Sequence, residues 1–165
     1  MRRTVATLFL ALFAFPAFAG SASVKLAGAR VEYDPAVWRV AGAEETAALV
    51  FTCIAADCDN EPTLFASARP IATLAEEDGC TGAAAYREPV GIPVPSAPDR
   101  IAFSAWSVWS GCRALDAPVL IACGLHKGIA YGFSSTLVSG CNRSPDLPPA
   151  RLVELLSAVR PIAPE

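Results

Sequence analysis

The stretch APVLIACGLHKGIAYGFSSTL, residues 117–137, carries two strand signals joined by a turn. Side chains alternate between the two faces of a strand. Val119, Ile121 and Cys123 therefore point one way, and Leu120 and Ala122 the other. Both sets are apolar, which predicts a central strand covered on both faces. The tripeptide His126-Lys127-Gly128 has the spacing and the glycine of a hairpin connection. A sheet built around this hairpin needs material on each side of it, and the neighbouring segments supply candidates.

Upstream, IAFSAWSVWSGC (101–112) is rich in aromatic and β-branched residues. Phe103 and Trp109 share one face of this strand, and Trp106 and Val108 the other. Trp106 is the candidate for a binding surface, because Ser104 and Ser110 beside it are polar and aromatics are common interface anchors. The alternative is burial of Trp106 beneath a loop or helix. Earlier still, AVWRVAG and AALVFTC flank a polar turn and predict a hairpin over 36–53. TLFASARPI (63–71) reads as the next strand, and IATLAEEDG (71–79) as a short helix ending at Gly79. Between them and the strand at 101 lies EPVGIPVPSAPD (88–99), with four prolines. Proline fixes φ and lacks a backbone donor, so this segment is neither a helix nor a central strand and reads as an ordered surface crossover.

Downstream, Leu152, Leu155, Leu156 and Val159 recur at i, i+3, i+4 and i+7, one face of an amphipathic helix. Asp146 is its candidate cap, Pro148 and Pro149 suit a first turn, and Pro161 ends it. The expected fold class is α+β: a mostly antiparallel sheet with the C-terminal amphipathic helix packed on one face, stabilised by disulfides.

The chain opens with Arg2 and Arg3, an apolar run over 5–15, and the small-residue frame Ala17-Phe18-Ala19. This is the pattern of a removable secretory signal spanning 1–19, followed by a single globular domain over 20–165. The 16 residues between Arg3 and Gly20 fall short of the roughly 20 that cross a bilayer. Losing Arg2 and Arg3 lowers the basic count from 13 to 11, against 16 acidic residues, so the net charge of the expected mature chain is −5. No basic cluster is present, and nucleic-acid binding is disfavoured on that ground, so no nucleic-acid partner is expected. No membrane span is expected once the signal is removed. The short signal and alanine-rich composition point to a bacterial protein of the periplasm or the secreted fraction.

An even number of cysteines in an exported chain reads as a disulfide framework. Cys53 and Cys58 flank a short turn and form the expected staple. For the other four, Cys112–Cys123 with Cys80–Cys141 competes with Cys80–Cys112 and Cys123–Cys141. No CxxC occurs, and His126 is the lone histidine, so neither zinc nor thiol exchange is favoured. No cofactor is expected. The carboxylate runs Glu76-Glu77-Asp78 and Asp57, Asp59, Glu61 read as solvated turns; the second lacks the glycine and distal glutamate of a calcium loop.

VEYDPAVWRV (31–40) and RLVELLSAVRPI (151–162) resemble the entry segment and the last helix and strand of the PsbP/Mog1-like α/β/α sandwich group. The resemblance covers the two ends and the element order. It implies a binding or accessory protein without catalytic residues, and it carries over no functional site. The expected function is thus an exported, non-catalytic binding or accessory protein whose partner is a periplasmic protein or a small ligand. The alternative is a secreted hydrolase using His126 with an acid or serine not yet placed.

Overall fold

The computed structural model describes residues 20–42, 47–73, 89–108, 119–135 and 147–163. In chain order the strands are β1 (Ala22–Leu26), β2 (Ala29–Tyr33), β3 (Trp38–Ala41), β4 (Ala48–Cys53), β5 (Thr63–Pro70), β6 (Val90–Ile92), β7 (Phe103–Val108), β8 (Val119–His126) and β9 (Ile129–Ser135). Helix α1 (Pro149–Leu156) and strand β10 (Val159–Pro161) close the described chain. Seven strands form one sheet in the order β3-β4-β5-β9-β8-β7-β6, and β1, β2 and β10 form a second, in the order β1-β2-β10. Every pairing is antiparallel.

The expected hairpins are present. β3 pairs with β4, with Trp38 opposite Cys53, and β8 pairs with β9, with His126 opposite Ile129. The β8–β9 turn is Lys127-Gly128, with φ of +46° and +79°. A two-residue hairpin loop needs left-handed backbone at both central residues, and glycine adopts it without a Cβ penalty. Ala27-Gly28 joins β1 to β2 in the same way. This first hairpin was not anticipated, although the alternation of Val24 and Leu26, then Ala29 and Val31, is its signal.

β8 behaves as its composition predicts. Val119 to Ala122 are all buried. Leu120 and Ala122 join the main core, while Val119 and Ile121 join Val108 in a separate cluster on the opposite face, with Trp106 partly buried against it. Phe103 and Trp106 lie on opposite faces, as expected; Trp109 lies outside the described residues. β4 and β5 bury alternate residues only. The large sheet thus turns one face to the main core along its length. Its other face leaves Phe65 and Leu125 exposed.

The proline-rich segment contributes β6, an edge strand of three residues that excludes Pro89 and Pro93, as the missing donors require. After β5 the chain makes a single 3-10 turn at Ile71–Thr73; the rest of the helix expected over 71–79 lies outside the described residues.

The C-terminal helix is shorter than the heptad spacing implies. It ends at Leu156, with the Ser157 and Ala158 N–H groups donating to the Val153 and Leu155 carbonyls. Val159 sits in β10 opposite Val31, not on the helix. A β-branched residue gains more from ladder pairing and burial than from one further helical turn. The cap position is Pro148, with no side-chain capping bond. Asp146 lies outside the described residues. Leu152, Leu155 and Leu156 are buried in the cluster that also holds Leu26, Trp38, Phe51 and Phe133.

Cys53 and Cys58 are joined, with Cα atoms 6.0 Å apart, and the Cys58 N–H donates to the Ala55 carbonyl across the stapled turn. Asp57 in that turn accepts two hydrogen bonds from the Arg151 guanidinium, at 2.9 and 3.0 Å. Arg151 also donates to Glu154 at 2.8 Å. Glu61 pairs with Arg39. Two carboxylates of the calcium-like run are therefore engaged by arginines, and among the described residues no cluster suited to a metal ion occurs. Cys123 is disulfide-bonded. Cys80, Cys112 and Cys141, and with them the two competing sets of pairings, lie outside the described residues.

The Asp57–Arg151 pair gives a pH-dependent expectation. The Arg151 hydrogen bond holds the Asp57 carboxyl below its ordinary 3.8. A lowered folded-state pKa stabilises the protein above the unfolded value, and that contribution disappears as pH falls through the folded value. Thermal melts of the parent and of Asp57→Asn should differ at neutral pH, with the variant lower, and converge well below pH 3.8. Because Asp57 is exposed, added salt should shrink the difference as well.

Candidate functional site

A groove of about 420 Å³ opens where the small sheet, α1 and the start of the large sheet meet. Its position follows from one reversal of the chain. β2 ends at Tyr33, and Asp34 turns the backbone into β3. The Asp34 carboxylate accepts the Ala36 N–H at 2.8 Å, and its carbonyl accepts the Val37 and Trp38 N–H groups at 3.0 and 2.9 Å. This Asx-type turn carries the chain from one sheet to the other and places Tyr33, Asp34 and Trp38 along one wall. Tyr33 and Trp38 both meet the buried Phe51 ring edge-on, at centroid distances of 6.0 and 6.1 Å. The aromatic wall is therefore braced from within the core.

The facing wall comes from the C-terminal segment: Glu154 and Leu155 of α1, Ser157, and Arg160 of β10. Arg100, from the turn before β7, completes the charged lining. The Ile101 N–H donates to the Val159 carbonyl and fixes this turn against β10.

Most of these charges are matched. Arg160 donates to Glu32 at 3.2 Å and to Asp99, and these partners, Glu32 foremost, raise the Arg160 pKa. Glu32 also lies 3.3 Å from Arg30. Glu154 is held by Arg151. Arg100 differs. Among the described residues it forms an ion pair with Asp99, 3.9 Å from Nε and too long for a hydrogen bond, and Nε is enclosed with no hydrogen-bond partner. A guanidinium presents five donors in a planar fork and is never deprotonated in a protein. The groove thus combines an aromatic wall with a rim of charged side chains.

The residues singled out from sequence lie elsewhere. His126 ends β8 and is half-buried; its Nε2 is enclosed with no hydrogen-bond partner. It does not line the groove. Trp106 is half-buried on the opposite face of the large sheet. Cys53 is fully buried in the core. The structure brings none of these together. What sequence reasoning missed is Arg100 with the acidic and aromatic residues around it. The available signals were the Pro98-Asp99-Arg100 turn and the Tyr33-Asp34-Pro35 reversal, but only folding joins them.

No family model matches the chain, and no curated protein matches it.

Proposed function

We propose that the protein is an exported, non-catalytic binding domain that takes a small ligand in the groove between Tyr33, Arg100 and α1. The observation that carries this reading is the groove's lining: an aromatic wall backed by the core, facing α1 and a rim of charged side chains. Ligand sites are concave, largely apolar and supplied with few polar groups that fix orientation. Export rests on the signal-like residues 1–19. It agrees with the Cys53–Cys58 disulfide and with the fact that no helix among the described residues is long and apolar enough to cross a membrane. In this reading the fold is α+β, with α1 covering one face of the large sheet, and the likeness to PsbP/Mog1-like accessory proteins points the same way.

The hydrolase reading asks for a hydroxyl or carboxylate on His126. Its Nε2 is buried without a partner and lies outside the groove, so the binding reading is the better supported. The test is amide chemical-shift mapping of the purified protein against a small-fragment library. Saturable shifts should cluster on Tyr33, Asp34, Arg100, Leu155 and Ser157. Shifts centred on His126, or hydrolysis of ester or peptide substrates lost in His126→Ala, would reverse the choice.

A further inference from the structure

We infer that removal of residues 1–19 completes the groove: the α-ammonium that cleavage leaves on Gly20 is the counter-ion of Asp34, so the lining reaches charge balance only in the processed chain. This rests on the export reading and specifies how processing sets the charge of the groove.

The first observation is where the new terminus lies. Gly20 and Ser21 line the groove together with Tyr33 and Asp34. β1 and β2 are paired with Ala22 opposite Tyr33. One residue beyond that pair the two chains continue as Ser21 and Asp34, and the Gly20 residue comes one peptide further on. The small-residue frame Ala17-Phe18-Ala19 therefore ends where the chain reaches the groove. Gly20 is exposed, and nothing lies within 4 Å of where a Cβ on it would stand, so a hydrated terminus fits there.

The second is the charge balance of the lining. Three carboxylates, on Glu32, Asp34 and Glu154, face two guanidiniums, on Arg100 and Arg160. Arg160 holds Glu32, and Arg151 holds Glu154. Asp99 pairs with both Arg100 and Arg160. Asp34 is the carboxylate left over. Among the described residues it accepts the Ala36 N–H and forms no ion pair. One positive charge beside it balances the lining, and in a groove partly shielded from water that attraction exceeds its value in bulk solvent.

Cleavage supplies this charge. A signal peptidase adds water across the Ala19–Gly20 amide, and the C–N bond breaks. Ala19 leaves with the water oxygen as a carboxylate, and the Gly20 nitrogen takes both protons of the water and becomes an ammonium. An amide nitrogen carries no such charge, whereas an α-amine with an ordinary pKa of about 7.7–8.0 is mostly protonated at neutral pH. The titratable and charged groups that face it are those of the lining: Glu32, Tyr33, Asp34, Arg100, Glu154 and Arg160.

The experiment uses protein exported by a bacterial host, with intact mass to place its terminus. The mass should match a chain starting at Gly20. The Cα chemical shift of Gly20, followed across the range in which α-amines titrate, should give a pKa about half a unit or more above the ordinary value, because an adjacent carboxylate favours the charged form. The Asp34 and Tyr33 amide signals should move with the same midpoint. Asp34→Asn keeps an oxygen for the Ala36 N–H and removes the charge, so it should return the Gly20 pKa to the ordinary range. Should that variant fail to fold, salt takes its place: screening should shrink the elevation in the parent protein. An ordinary Gly20 pKa in the parent, or an elevated one that neither Asp34→Asn nor salt lowers, overturns the pairing. The groove then stands as a ligand site, which fragment mapping tests separately. A chain that starts at another residue also overturns the pairing, and one that keeps residues 1–19 overturns export with it.

Discussion

Phe51→Ala should destabilise the protein by about 3–5 kcal/mol, the range for truncating a large buried aromatic. Phe51 is fully buried. Its ring meets Tyr33, Trp38 and Phe133, and the Phe133 centroid is 6.5 Å away. Removing it deletes the brace behind the groove wall and leaves a cavity that strands on both sides, fixed by ladder bonds, collapse into poorly. Phe65, on the neighbouring strand, is the control. In the β4–β5 register Val50 is opposite Phe65 and Phe51 opposite Leu64, so Phe65 lies on the other face and is 44% exposed. Phe65→Ala should cost within about 1 kcal/mol, near the range for exposed sites. Urea denaturation with the disulfides intact measures both. Equal losses at the two positions would mean that the large sheet does not distinguish its faces as the burial pattern indicates.

The same contrast explains what was legible in the sequence. Residue-by-residue alternation is a local property, so the doubly covered β8, the β3–β4 hairpin and the Lys127-Gly128 turn follow from short windows. The Cys53–Cys58 staple was equally local, since five positions separate the pair. The end of α1 was not. Leu152, Leu155, Leu156 and Val159 fit one helical stripe, and nothing nearby shows that Val159 will instead pair with Val31, more than a hundred residues earlier. The groove was illegible for the same reason. Tyr33, Arg100 and Leu155 come from three distant parts of the chain, and none carries a motif. The charged pairs around it, such as Arg160 with Glu32 and with Asp99, are products of tertiary structure. His126 drew attention as the lone imidazole, yet a residue type that occurs once says nothing of its neighbours. Conspicuous residue types and the site diverge here because the site is made of ordinary residues that only folding brings together.

Leu152→Ala should cost about 2–5 kcal/mol, as for other buried leucines, and it tests whether α1 belongs to the core or merely rests on it. An eight-residue helix is marginal in isolation. Alanine is the better helix former of the two, so propensity alone would make the change neutral or slightly favourable. Any large loss therefore comes from packing. Leu152 is fully buried and shares its cluster with Leu26, Val31 and Phe51, residues of both sheets. If that cluster is one cooperative unit, the urea midpoint should fall while the slope of free energy against urea stays constant, because the same surface is exposed on unfolding. If α1 were an appendage, the slope for the remaining transition would drop, and hydrogen exchange would lose protection over Pro149–Leu156 alone. The variant also reads on the groove. Leu155 and Ser157 form one wall, and a helix loosened at Leu152 no longer holds them opposite Tyr33. Fragment binding in the groove should then weaken with Tyr33 and Arg100 untouched. A loss below about 1 kcal/mol, with binding intact, would place α1 outside the core and the groove wall with it.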